Sequence, residues 1–185
     1  MKKTTPRRSF LGKTMLAAAG LACVSTTTTL RAFTVKEAPF KGYNPYAERK
    51  TDLRVNSFGK HVAITGKIYD SKGETPLAKT MVEVWHLSPG STKFRHRAKL
   101  FTNEHGAYEF ITDLPNREIG KRHKIYFKVS KASKTYFTEL SFNKFGAHIS
   151  DKHWEHNNQL GDKLLFPSHT TFLNRSTIQF NIALI

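Results

Sequence analysis

The chain holds one cysteine, Cys23, among its 185 residues, so the sequence beyond it carries neither a disulfide framework nor thiol chemistry. Acids are scarce: 14 Asp and Glu stand against 30 Lys and Arg, a formal net charge of +16. Long apolar runs are missing too, since residues 15–22 fall well short of the roughly 20 residues that a membrane-spanning helix needs. No window longer than a turn or two spaces its apolar residues as a helix does, which excludes a helical bundle. There is no internal repeat, no low-complexity tract beyond residues 26–29, no glycine-rich phosphate loop and no recognisable Ser-His-Asp or Cys-His pattern.

What is present begins with a leader. Residues 6–12 read Pro-Arg-Arg-Ser-Phe-Leu-Gly ahead of the apolar residues 15–22. Paired arginines, Phe-Leu and a modest apolar region form the layout of a twin-arginine signal, read by a route that carries folded proteins. Export to the periplasm or cell envelope is expected. Two processing points compete: cleavage after Ala32, and lipid attachment at Cys23, which is weakened by Gly20 where a larger aliphatic residue is usual. Residues 1–32 contain six basic residues and no acid, leaving 24 basic and 14 acidic residues, or +10, for the remainder. Those charges are scattered (Lys60, Lys67, Arg95, Arg97, Lys121, Arg122) and suit an anionic ligand, an envelope protein or an anionic surface. No nucleic-acid reader motif accompanies them, so nucleic acid is not an expected partner.

Three segments follow from composition: the signal segment 1–32, an extended arm over 33–60 rich in polar residues with Pro39, Gly42 and Pro45, and one domain over 61–185. From His61 onward the pattern has period two. Val62, Ile64 and Ile68 share one face, residues 70–74 form a turn, and β-rich runs recur at 81–86, 106–112, 124–129, 135–142 and 176–184. Six or seven short strands without long helices predict an all-β sandwich. Within 124–129, Ile125, Phe127 and Val129 share a face and leave Lys124, Tyr126 and Lys128 on the other.

The order Ile64-Thr65-Gly66-Lys67-Ile68-Tyr69-Asp70, then Pro76-Leu77, Val82-Glu83-Val84-Trp85-His86 and Thr102-Asn103-Glu104-His105-Gly106-Ala107-Tyr108-Glu109-Phe110 resembles the intradiol ring-cleavage dioxygenases, the family of the catechol and protocatechuate dioxygenases. It is also similar to prealbumin-like modules, which would make the domain a structural part of the envelope. The dioxygenase resemblance implies a β-sandwich and an Fe(III) site of two tyrosinates and two imidazoles that activates a bound catecholate toward O₂. Each of the four ligand positions is altered. The first tyrosine position falls at or near Phe94, and the second, expected after Leu114-Pro115, meets residues 116–120 without a tyrosine. Lys124 and Tyr126 stand where the resemblance places the His-x-His pair, with His123 one residue out of phase.

The sequence therefore leaves activity open. The favoured expectation is a pseudoenzyme that needs no cofactor and binds a small aromatic or anionic ligand beside Phe94, Lys124 and Tyr126, with Lys124 supplying a fixed positive charge. The alternative is a working ring-cleaving dioxygenase that keeps Fe(III) through altered ligation. Asp151, His153 and His156 form the densest cluster of ligand-type residues and are a weak candidate metal site, set against a solvated loop. His86 is expected to be a hydrogen-bonded core histidine and Trp85 a core anchor.

Overall fold

The computed structural model describes residues 40–173 and 175–185. The signal segment 1–32 with Cys23, and the first residues of the arm, lie outside them. The alternation read at His61 becomes β1 (His61–Tyr69), the central strand of the first sheet. It pairs antiparallel with β4 (Ala107–Asp113) on one side and parallel with β9 (Arg175–Gln179) on the other, and β9 pairs antiparallel with β8 (Ser168–Phe172). The run at 176–184 is not one strand. Asn181 interrupts it, accepting from the Lys67 backbone N–H at 2.9 Å and donating to the Leu164 carbonyl at 2.9 Å. Pairing resumes at β10 (Ile182–Ala183) beside Ile68 and Tyr69.

The second sheet runs β3 (His96–Phe101), β2 (Met81–His86), β5 (His123–Lys131), β6 (Lys134–Asn143), β7 (Gly146–Ile149), all antiparallel. Val82, Val84, Ile125, Phe127, Val129, Leu140 and Phe142 on its inner face pack against Val62, Ile64, Phe110, Ile178 and Phe180 of the first sheet. The result is a β-sandwich of ten strands among the described residues. The strands beyond the expected count are β3, β7, β8 and the split of the last run. β3 eludes a sequence reading because two of its outward positions, Arg97 and Lys99, are basic, the third, Phe101, is apolar, and only His96, Ala98 and Leu100 point inward.

The segment expected as a solvated loop is instead a short helix, α1 (Asp151–Asn157). The Ser150 hydroxyl caps it by accepting from the His153 N–H, with Asp151 in its first turn and His156 in its last. A 3-10 turn and the single-turn α2 (Asp162–Leu165) follow, and Leu160 and Leu165 close a second cluster against Tyr69 and Ala183. None of the helices among the described residues is long and apolar enough to cross a membrane.

Residues 48–53 of the arm close one side of the sandwich. Lys99 donates to Glu48 O at 2.8 Å and Ile111 to Thr51 O at 2.8 Å, so the arm stitches the exposed edges of β3 and β4. Covering both edges removes templates for unwanted strand pairing.

Candidate functional site

With Val82 and Val84 turned inward, Glu83 and Trp85 of β2 point outward; the same parity puts Lys124, Tyr126 and Lys128 of β5 and Phe137 and Glu139 of β6 on that outer face. Register then makes neighbours of Glu83 and Lys128, Trp85 and Tyr126, and Tyr126 and Glu139. The face is roofed by the arm. Phe40 lies 5.1 Å from Tyr126 and Tyr43 5.2 Å from Trp85, centroid to centroid. Phe94, from the β2–β3 loop, lies 6.1 Å from Tyr126. Gly42 makes that roof possible: it sits at φ 84°, and a Cβ there would stand 2.2 Å from the Phe94 ring. Trp85 is buried, but under this roof and not between the sheets as expected, because it alternates out of phase with Val84; its indole N–H donates to Lys41 O at 3.1 Å.

The structure thus brings Phe94, Lys124 and Tyr126 to one face and adds what the sequence did not disclose. Lys124 Nζ is 2.6 Å from Glu139 Oε1, so its ammonium is compensated and not the isolated positive charge expected of it. Lys128 Nζ is 2.7 Å from Glu83 Oε2 and donates to the Tyr43 hydroxyl at 2.7 Å. Burial pulls the Lys128 pKa down, but the bonds to Glu83 and Tyr43 outweigh it and leave it raised. Burial, with Glu139 nearby, pushes the Tyr126 hydroxyl up, away from the phenolate form.

Fe(III) needs deprotonated oxygen and neutral imidazole donors turned to one point. At the positions the resemblance assigns, this chain offers an ion-paired ammonium, a tyrosine biased toward its neutral form and a phenyl ring. The donor set does not fit. His123 does not repair it: its side chain turns inward against Phe142 at 5.5 Å, and its Nδ1 bonds to Pro115 O at 2.7 Å. Asp151, His153 and His156 do not converge either, and no cluster of three His, Cys, Asp or Glu suited to a metal occurs among the described residues. His153 is buried with Nδ1 2.8 Å from the Thr138 hydroxyl, His156 stacks on Tyr136, and Asp151 faces solvent.

The hollow lined by Lys124 and Tyr126 encloses only about 90 Å³. It borders a cleft of about 640 Å³, and Asn116 and Arg117 line both. Leu53, Val55, Pro89, Leu114 and Pro115 give this cleft apolar walls, and Arg95, Arg97, Arg117 and Lys60 give it cations that make no ion pair among the described residues. Its one acid, Asp113, is buried and engaged. Asp113 Oδ2 accepts from Val55 N at 2.8 Å and lies 3.0 Å from His96 Nε2, and these bonds hold its pKa low against the opposing effect of burial.

His96 Nδ1 in turn lies 2.9 Å from Ser88 Oγ. The fold therefore builds a Ser88–His96–Asp113 chain that the sequence did not reveal, because its members are brought together only by the β2–β3 turn and the end of β4. Ser88 is buried and its oxygen also accepts from Arg95 N at 3.2 Å, so the chain fastens the loop that carries Arg95. Beside it His86 is the core histidine expected, bonded to Thr112 Oγ1 at 2.7 Å and Leu87 O at 2.8 Å.

This architecture defines the class. The dioxygenase domain of a dioxygenase carbohydrate-binding protein fusion from Streptomyces sp. SirexAA-E superposes with a TM-score of 0.57 at 19% identity, over 77% of this chain and 91% of that one. An intradiol ring-cleavage dioxygenase from Tetranychus urticae gives 0.56 at 13%, over 77% and 89%. Chlorocatechol 1,2-dioxygenase from Pseudomonas putida gives 0.57 at 18%, over 80% and 69%. No protein-family model and no curated protein matches the sequence. The chain has the fold of the intradiol ring-cleavage dioxygenases.

Proposed function

We propose that this chain is an exported binding protein built on the intradiol dioxygenase fold, that it does not cleave rings at a ferric centre, and that its ligand is a small anion with an aromatic or otherwise apolar body. The observation that carries this reading is the cleft beside the positions of Lys124 and Tyr126, where Arg95, Arg97 and Arg117 make no ion pair among the described residues and stand over apolar walls. A guanidinium binds a carboxylate through a charge-assisted pair of hydrogen bonds, while the walls take the apolar body out of water. Lys124 and Tyr126 lie beyond Arg117 as a second, narrower place for the same ligand.

Titration calorimetry with benzoate and naphthoate tests this. Losing one charge-assisted contact costs roughly 1.5–3 kcal/mol, so Arg97→Ala should weaken binding about tenfold or more. Lys124→Ala should change it little, because Glu139 already neutralises that ammonium. Equal affinity in wild type and Arg97→Ala would remove the cleft from the account, and a loss confined to Lys124→Ala would move the site to the narrower hollow.

The fold itself favours a rival, a ring-cleaving enzyme with rebuilt ligation, for which the oxygens of Tyr43, Glu83, Tyr126 and Glu139 share the outer face. Iron bound at one equivalent per chain would favour it.

A further inference from the structure

One end of the sandwich differs from the other in a way the cleft does not explain. There β1, β5 and β9 begin and β2, β4, β6 and β8 end, so loops 54–60, 87–95, 114–122 and 143–146 meet Phe172, Leu173 and Arg175. Six large apolar residues stand out from these loops into solvent: Val55, Phe58, Ile119, Phe145, Phe172 and Leu173, with Phe58 94%, Phe145 83% and Leu173 84% exposed. Leu173 is held at φ 52°, a left-handed turn position where glycine or asparagine is usual, so a bulky apolar side chain is displayed at a backbone cost.

The same loops carry nine Lys and Arg and one acid, Glu118, which is paired with Lys121. Lys144 lies over the Phe145 ring at 4.7 Å, cation and apolar face side by side. At the far end, segments 70–80, 102–106, 131–134 and 150–167 carry six acids against six lysines, and their exposed large apolar residues are Trp154 and Phe166, each only about half exposed. The tips are also joined. The cleft and a neighbouring hollow under Leu173 and Lys144 share Lys60, Leu114 and His123, and Asn116 ties loop 114–122 to loop 87–95 through Leu87 O and Ser91 O.

We propose that this end docks onto an anionic lipid bilayer, with the apolar tips entering the interface and the surrounding cations meeting the headgroups. Isolated exposed apolar residues are ordinary, but six on one basic end with almost no acid combine the two terms that hold a protein to such a surface. A protein partner would need a flat or complementary contact area; separate apolar fingers ringed by charge suit a fluid interface, and the charge complementarity selects an anionic one. The inference does not depend on the cleft's being a ligand site.

The test is flotation of the full chain with vesicles of phosphatidylglycerol and phosphatidylcholine in equal parts, and of phosphatidylcholine alone. Binding to the anionic vesicles that weakens with salt is expected. The triple variant Phe58→Ser, Phe145→Ser, Leu173→Ser should partition at least about tenfold less, since burying even one such side chain is worth roughly a decade. Wild type and variant share residues 1–39, so the difference reads the tips. As a positional readout, a tryptophan introduced by Leu173→Trp should shift its emission to the blue on anionic vesicles, and one introduced by Lys72→Trp at the far end should not. None of the three substituted tips lines the cleft, so benzoate binding by the triple variant should be retained. Equal partition of wild type and triple variant, no blue shift at position 173, or a dimer in vesicle-free solution that the triple variant dissociates would each overturn the proposal.

Discussion

Burial holds two histidines in the neutral state: the pKa of His86 is pushed down to about 3, and that of His153 to about 4, with His156 adding to the second. Both lie below the ordinary value of 6.5, so between those limits the unfolded chain binds protons that the folded chain refuses. Stability is therefore unaffected by these groups above about pH 7 and falls as the pH drops from 6.5 toward 4, by up to about 1.4 kcal/mol per pH unit for each. Urea unfolding across that window should show the decline, and His153→Asn should make it less steep while leaving the His86 share; a midpoint constant from pH 7 to pH 4 would contradict the assignment. Residue parity was legible beforehand, since the outward turn of Lys124 and Tyr126 follows from Ile125, Phe127 and Val129 facing the core. Their partners were not: Glu139 meets Lys124 only once the β5–β6 register is fixed, and local sequence does not specify a register.

The strands themselves were largely legible, because alternating apolar residues with turn clusters between them announce each one. The arm was not. Residues 40–60 have no periodicity, and their role comes from single bridges to β3 and β4 and from Phe40 and Tyr43 lying over the second sheet. At this scale the ion pair under the arm is the element most open to measurement. Glu83 is buried with Lys128 2.7 Å away and the more exposed Lys99 3.7 Å away, so removing Lys128 leaves the carboxylate only its longer pair and the Tyr43 hydroxyl, and removing Glu83 leaves Lys128 without its acid. Lys128→Met alone should cost on the order of 3 kcal/mol, whereas Glu83→Met with Lys128→Met should cost less than either single change, because replacing both charges relieves their desolvation. Costs that simply add in the double variant, read from denaturant midpoints, would show that the pair is not coupled as described.

For the molecule as a whole, the proposed function joins three features: a leader with the layout of a twin-arginine signal, a sandwich whose outer face sets aromatic rings and ion pairs where the resemblance places iron ligands, and one basic end that carries both a cleft and apolar tips. Replacing Arg7 and Arg8 by Lys should retain the protein in the cytoplasm, as fractionation would show, and unchanged delivery would refute the twin-arginine reading. The fold was visible in the sequence through its strand order, and the residues at the four positions where the resemblance places iron ligands raised the expectation of altered ligation. The cleft was not, since Arg95 and Arg97 read there as scattered surface charge and Arg117 only as part of a segment without a tyrosine. The central proposal is that this chain does not hold a ferric centre, and iron loading tests it most directly. The folded protein is incubated with ferrous iron in air, desalted, and measured for iron per chain and for visible absorption. Iron far below one equivalent and no tyrosinate charge-transfer band is the predicted result; one iron per chain with a red colour would contradict it.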